Sequence, residues 1–347
     1  MFWYVFAFLA TVFFIKILCI PARCVGLVDI PAGRKDHQGE IPLIGGLAIF
    51  FAVMLAVFFQ EPLRLSFISI FPSAALIVII GVCDDKSNLT PGIRLLAQMA
   101  SSLLAIYLGD LSITHLGDLF GRGPVSLGRW SVSYTVFCMV GIMNAVNMLD
   151  GIDGLAGGVV LADLLLFGLV ALLGGHGTQA ALIFLVASSV IGFTVFNMRT
   201  PWRPRASVFM GDAGSMMLGF LLAWFAMALS APTVDAIAPI TTVWILGIPI
   251  LDTVGIMLRR MLKGRSPFAP DREHLHHFFL RAGFSVTQTT LLIVSLSTAL
   301  GLIGIGAWVC GIPDYVMTYS FIALSLVYLC GFLYAWRREG IVADRHE

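Results

Sequence analysis

Along the chain, stretches of apolar residues long enough to fill a bilayer alternate with short polar interruptions. Eleven runs of roughly 16–20 residues stand out by the length a membrane helix needs. They are Phe2–Ile20, Leu43–Phe59, Phe67–Val82, Ile93–Leu108, Val132–Met148, Leu155–Leu173, Ala180–Phe196, Ala213–Ala228, Ile237–Met257, Thr290–Val309 and Tyr315–Tyr334. None shows the two-residue rhythm of a transmembrane β-strand. In hydrocarbon a segment must satisfy its own backbone donors and acceptors, which a helix does and an isolated strand does not. The pattern therefore predicts an all-α polytopic membrane protein of about eleven transmembrane helices.

Composition strengthens this picture. The 347 residues are 59% hydrophobic and only 12% charged, whereas a soluble domain carries about a quarter charged residues. The first run holds a single charge, Lys16, and no small-residue cleavage pattern follows it, so it reads as a retained span. Six cysteines without CxxC spacing lie mostly in or beside apolar runs, as small hydrophobes do. A net charge of +1 excludes a strongly basic nucleic-acid binder. No linker, low-complexity tract or repeat divides the chain, which reads as one integral-membrane domain, 1–347, with a polar loop over 259–289.

Basic residues sort the loops. One set of alternate loops holds Arg23, Arg34, Lys35, Lys86, Arg199, Arg203, Arg205, Arg259, Arg260, Lys263, Arg265, Arg272 and Arg281, and the tail adds Arg337, Arg338 and Arg345. The opposite loops hold only Arg64, Arg122 and Arg129. The positive-inside tendency makes the first set cytoplasmic, with the N-terminus outside and the C-terminus inside. Four polar clusters, "CDDKSNLTP", "NAVNMLDGIDGLAGG", "VFMGDAGS" and "PFAPDREHLHH", all fall at span ends on that same side. Their convergence predicts a site supplied from the cytoplasm and its leaflet.

Each cluster has its own chemistry. Asp84 and Asp85 end the third run; adjacent carboxylates repel, a cost that a cation, a proton-transfer role or solvation offsets. Asn144, Asn147, Asp150 and Asp153 recur every third residue, and Gly151 and Gly154 predict that the helix breaks and restarts near Leu155. An isolated carboxylate in hydrocarbon costs about 2.5–3.5 kcal/mol on insertion scales, so these groups need partners, water or a ligand. Asp212, just after Gly211, is a hard oxygen donor suited to magnesium or to capping the eighth run. Arg272, His274, His276 and His277 share a loop with further basic residues. Three close histidines could hold zinc, but the acidic clusters favour a harder ion, and polyanion binding suits the loop better. "GRKDHQGEIPLIGG" places Lys35 and His37 ahead of a glycine pair entering the second run.

Taken together, "RKDHQGEIPLIGG", "DDKSNLTPGIR", "NAVNMLDGIDGLAGG", "VFMGDAGSMMLGF" and "KGRSPFAPDREHLHHFFLRAGF" closely resemble the polyprenyl-phosphate N-acetylhexosamine-1-phosphate transferase family, and most closely its WecA branch. The five motifs occur in order from about Gly26 to Phe284. Leu275 interrupts the consecutive triple histidine of the related peptidoglycan-precursor enzymes. The resemblance implies transfer of a sugar 1-phosphate, N-acetylglucosamine 1-phosphate by closeness of resemblance, from a UDP-sugar to undecaprenyl phosphate, with release of UMP. That step would begin a cell-envelope polysaccharide at the bacterial inner membrane. The resemblance further implies Mg²⁺ or Mn²⁺ at Asp212 with Asn147, an essential acidic pair in Asp84 and Asp85, and a catalytic Asp150. Uracil contacts are implied for Asp153 and Phe209, and diphosphate or sugar contacts for Arg272, His274, His276 and His277, with Lys35 and His37 as further substrate contacts.

Direct attack of the lipid phosphate is the expected mechanism, with Asp84 or Asp85 taking any remaining proton, rather than a covalent phospho-aspartate. Expected partners are the UDP-sugar, undecaprenyl phosphate and membrane lipid, with a homodimer as the assembly entertained and no nucleic acid. Two rivals stand beside this reading: the same reaction with another UDP-N-acetylhexosamine, and an ion-coupled transporter. Transporter sites lie near the midplane between repeated halves, whereas these carboxylates lie at span ends in a chain without a repeat.

Overall fold

The computed structural model describes residues 1–30, 39–231, 234, 236–264, 266 and 274–343. Lys35, His37 and Arg272 lie outside the described residues. The apolar runs fold as helices: α1 (Phe2–Val25), α2 (Gly45–Phe58), α4 (Ile70–Ser87), α5 (Pro91–Gly109), α6 (Ser131–Leu149), α7 (Leu155–Leu173), α8 (Gly177–Asn197), α9 (Gly211–Ser230), α13 (Val286–Val309) and α14 (Asp314–Ala343). Short helices α3 (Glu61–Phe67) and α12 (Leu275–Arg281) flank them. The ninth run is split into α10 (Pro239–Ile245) and α11 (Gly247–Leu262), bent by 79° at Leu246.

Each of the eleven apolar runs is helical, the ninth as a bent pair. Among the described residues eight helices are long and apolar enough by themselves to cross a membrane, or nine if the bent pair is one span. Helix α2 has 14 residues, about 21 Å at 1.5 Å per residue, short of a hydrocarbon core of roughly 30 Å. Helix α4 carries Asp84, Asp85 and Lys86 in its last turn. The break in the ninth run follows from Pro249, which lacks a backbone N–H and crowds the carbonyl four residues back, at Ile245.

Helix α9 is the centre of the bundle. Of its spanning window 94% is buried, against 11% for that of the peripheral α14. Between membrane helices there is little hydrophobic force, so close backbone packing through small residues replaces it. A Cβ at Gly46 would lie 2.2 Å from the Gly214 Cα, and one at Gly81 would lie 2.2 Å from the Ala213 Cα. The first turn of α9 is thus gripped between α2 and α4, which carries the terminal carboxylates of α4 onto it.

A small antiparallel sheet reinforces the grip. Strands β1 (Val28–Asp29) and β2 (Ile41–Pro42) pair, and the Phe209 N–H donates to the Pro42 carbonyl at 3.0 Å. At the start of α2 the Gly45 and Gly46 N–H groups donate to the carbonyls of Phe209 and Met210, each at 3.0 Å. Four unpaired N–H groups begin every helix, and here the segment entering α9 absorbs two of those of α2. Deep in the bundle, fully buried Asp163 of α7 accepts from the Ser297 hydroxyl of α13 at 3.0 Å, tying these helices together.

Candidate active site

The acidic pair that closes α4 is divided between two tasks. Both oxygens of Asp85 face the start of α9, accepting from the N–H groups of Asp212 at 2.8 Å and Ala213 at 3.3 Å. A carboxylate there satisfies exposed helix donors and meets the positive end of the helix dipole. Gly211, with φ +73°, makes the approach possible, since a Cβ would lie 2.6 Å from the Asp85 Oδ2. Asp84 faces elsewhere. Its Oδ1 accepts from the Leu89 N–H at 2.7 Å, its Oδ2 lies 3.1 Å from Arg94 Nη1, and its carboxyl group is within hydrogen-bonding reach of Asp212.

Asp212 is the hub. Asn147 Nδ2 donates to its Oδ1 at 2.6 Å and to the Ser215 hydroxyl at 2.9 Å, while Arg94 Nη1 lies 3.9 Å from its Oδ2. Carboxylates from α4 and α9, an amide from α6 and a guanidinium from α5 therefore converge at one end of the bundle. One turn before Asn147 on the same helix, Asn144 donates to Gln98 of α5 at 2.8 Å and acts as an inter-helix tie.

The expected helix break is present: α6 stops at Leu149, α7 starts at Leu155, and Gly154 takes a left-handed φ of +80°. Its N–H donates to the buried Asn197 Oδ1 at 2.9 Å. Asp150 ends α6. Burial first, then the charges of Asp212 and Asp153, push its carboxyl from an ordinary 3.8 up to about 7. Asp153 closes the next loop, its Oδ2 accepting from Arg199 Nε at 2.7 Å and from the Ala206 N–H at 3.1 Å. Phe209 is half-buried at the bridge to α2.

The histidines approach the same turn from α12. His276 is 1% exposed and neither ring nitrogen has a hydrogen-bond partner among the described residues. It lies directly on Gly151, where a Cβ would come 2.5 Å from its Nε2. Burial, followed by His277, pushes the imidazole from an ordinary 6.5 down to about 3, against a smaller opposing effect of Asp252. The ring is therefore neutral. It stacks on His274 with centroids 5.7 Å apart and planes 5° from parallel, and its centroid is 4.2 Å from that of His277. His274 Nδ1 lies 2.9 Å from Asp252 Oδ2.

Residues 67–230 match the family described as glycosyl transferase family 4. The chain is 35% identical over 334 residues to the undecaprenyl-phosphate alpha-N-acetylglucosaminyl 1-phosphate transferase of Yersinia pestis, covering 96% of this chain and 91% of the relative. It is 35% identical to the protein of that name in Escherichia coli strain K12, over 95% of this chain and 90% of the relative. For the Haemophilus influenzae protein of the same name the identity is 36%, over 91% and 89%. The chain belongs to this transferase family.

Within the transferase, the matched stretch 67–230 carries the whole acid centre and the Asp150–Asp153 turn, whereas α12 and its histidines lie beyond it. The structure also adds residues to those singled out in the sequence. Arg94 is the second residue of the fourth run and closes the stretch "DDKSNLTPGIR" without a role of its own there; its contact with both Asp84 and Asp212 is tertiary. Asn197 and Asp252 end or interrupt apolar runs, so the cost that marked Asp150 marks them too. Arg199, by its place in the sequence a loop charge, is paired with Asp153 in the structure.

Proposed function

We propose that the chain transfers N-acetylglucosamine 1-phosphate from UDP-N-acetylglucosamine to undecaprenyl phosphate, giving undecaprenyl-diphosphate-N-acetylglucosamine and UMP. One observation carries the reading: Asp84, Asp212, Asn147 and Arg94, from four different helices, meet at the helix ends beside a turn capped by a neutral buried histidine. This arrangement occurs in a chain that matches its relatives over nearly the whole length of both.

The proposed chemistry is one displacement. An oxygen of the lipid phosphate attacks the sugar-linked β-phosphorus, the bond from that phosphorus to the bridging oxygen breaks, and UMP leaves with the bond electrons. One diphosphate is exchanged for another, so the reaction is near reversibility. A phosphate monoester has its second pKa at about 6, so most acceptor enters as the dianion and a base is needed only for the rest. Asp150 suits that task by its place: it ends α6 at the turn beside the acid centre, and burial raises its carboxyl above the ordinary range. Asp85 suits it less well, since its oxygens already hold the start of α9. Arg94 offsets charge between the carboxylates and the incoming phosphates, and His276 offers a neutral ring nitrogen to a substrate oxygen.

Asp84 and Asp212, with Asn147 against the latter, form a hard donor set that suits Mg²⁺ or Mn²⁺. Among the described residues no three His, Cys, Asp or Glu side chains group closely enough to hold a metal unaided, which fits an ion that takes one or two carboxylates and completes its shell with phosphate and water. When bound it supplies positive charge at the phosphate oxygens. The proposed setting is the bacterial inner membrane, with the N-terminus outside, the acid centre facing the cytoplasm, and α2 and α4 seated in the bilayer beside the longer helices.

Detergent-purified protein given UDP-N-acetylglucosamine, undecaprenyl phosphate and Mg²⁺ should release UMP, and release should stop without lipid or with EDTA. Asp212→Asn should remove metal-dependent turnover while the protein still elutes as a folded species. Release from another UDP-sugar alone would change the donor. Silence across all UDP-sugars from folded protein would defeat the reading.

A further inference from the structure

One buried carboxylate outside the acid centre touches the histidine loop directly. Asp252 lies in α11, three residues beyond Pro249, and is 1% exposed. Its Oδ1 accepts from the Leu275 N–H at 2.9 Å and its Oδ2 lies 2.9 Å from His274 Nδ1. Tyr328 of α14 stands beside the same carboxylate. An aspartate in an apolar run is costly to keep, and here both oxygens are committed to the two residues that open α12.

We propose that Asp252 is a positioning residue of the transferase, which fixes His274 in the tautomer and orientation that present its Nε2 to the diphosphate of the substrate. The inference rests on the function proposed above. A carboxylate accepts and does not donate, so the nitrogen facing it must carry the proton. His274 Nδ1 is therefore N–H, and in the neutral ring Nε2 is left with the lone pair. The same arrangement orients metal-ligating and general-base histidines, where the group behind the ring sets which nitrogen is available. Because Oδ1 also pins the Leu275 N–H, Asp252 sets how the chain enters α12, and with it the seat of His276 over Gly151.

Asparagine at 252 makes a specific probe. Its carbonyl oxygen can still accept from the Leu275 N–H, but its NH₂ faces Nδ1 and forces the opposite tautomer. Steady-state UMP release, with UDP-N-acetylglucosamine varied and lipid saturating, should be compared for wild type, Asp252→Asn, His274→Ala and the double variant. Asp252→Asn should lower kcat at least about tenfold and change KM by less than about threefold, as expected for an interaction made mainly in the transition state. In the His274→Ala background the same change should cost less than about twofold, because residues acting as a unit are not additive. Asp252→Glu, which keeps an acceptor-only carboxylate, should retain more activity than Asp252→Asn. The inference fails if Asp252→Asn is within about twofold of wild type, if the single effects multiply, or if Asn outperforms Glu. Should Asp252→Asn not fold, Glu and His274→Ala with and without Glu carry the same comparison. A wild type that releases UMP while the cycle multiplies defeats the inference alone; a wild type silent with every UDP-sugar defeats the proposed function and takes the inference with it.

Discussion

Asp150 and His276 are near neighbours across Gly151, yet burial moves them in opposite directions. A buried carboxyl is driven to its neutral form at higher pH and a buried imidazole at lower pH. Their linkage to stability therefore has opposite sign in overlapping windows. The His276 ring is lowered from 6.5 to about 3, so the stability it contributes is present above pH 6.5 and is lost as pH falls toward 3. Asp150 is raised from 3.8 to about 7, so its contribution is present below pH 3.8 and is lost as pH rises through 7. Measured against wild type, His276→Phe should gain in melting temperature as pH falls from 6.5 to 4.5. Asp150→Asn should gain as pH rises from 5 to 8. Scans of the three proteins at these pH values check both signs, and a difference independent of pH would contradict the burial assigned to each group. At this scale Asp84 and Asp85 also part company: one is spent on a neighbouring helix and the other is turned to Asp212 and Arg94.

Helix α9 shows how an element delivers a residue. Asp212 reaches the centre because Gly46 and Gly81 let two other helices touch the backbone of its first turn, and because the segment before it is bonded to the start of α2. Gly81→Leu would push α4 from α9 and draw Asp85 off the N–H groups of Asp212 and Ala213. Overpacking a tight core costs typically about 1–3 kcal/mol; loss of an end cap adds roughly 1 kcal/mol. The expected outcome is a melting temperature several degrees lower and UMP release reduced more than about tenfold, since small displacements at a positioned site are expensive. Gly92→Leu, where nothing lies within 4 Å of the added Cβ, should leave both near wild type. The bent pair α10 and α11 shows the same logic with a different cause, a proline placing Asp252 opposite α12.

Across the whole molecule the acid centre, the small sheet and the start of α13 share one end. Thr290 of α13 donates to the Asp153 carbonyl at 3.1 Å, and α1 ends beside β1. Exposed Cys24, in the last turn of α1, therefore belongs to the active end, and exposed Cys310, after α13, to the opposite one. With the proposed orientation, a membrane-impermeant maleimide should label a variant retaining only Cys310 in intact right-side-out spheroplasts. A variant retaining only Cys24 should react after permeabilisation. The reverse pattern would turn the centre to the outer face and cut it off from cytoplasmic nucleotide sugars.

By itself the sequence determined the helical membrane class, the break at Asp150–Gly154 and the residue types of the centre, because hydrocarbon tolerates few exceptions and each buried polar group is visible against an apolar background. The positions of Asp84, Asn147, Asp150, Asp212 and His276 were readable one by one for that reason. Their division of labour was not. Which carboxylate holds a helix and which faces Arg94 depends on contacts between residues 127 apart or on rings meeting a glycine from another loop. The shape of the spans was not readable either, because an apolar run does not show that the ninth bends by 79° at Leu246 or that α4 carries its helix on through three charged residues. Only the tertiary structure decided these matters, since glycine contacts between helices set the distances on which the chemistry depends.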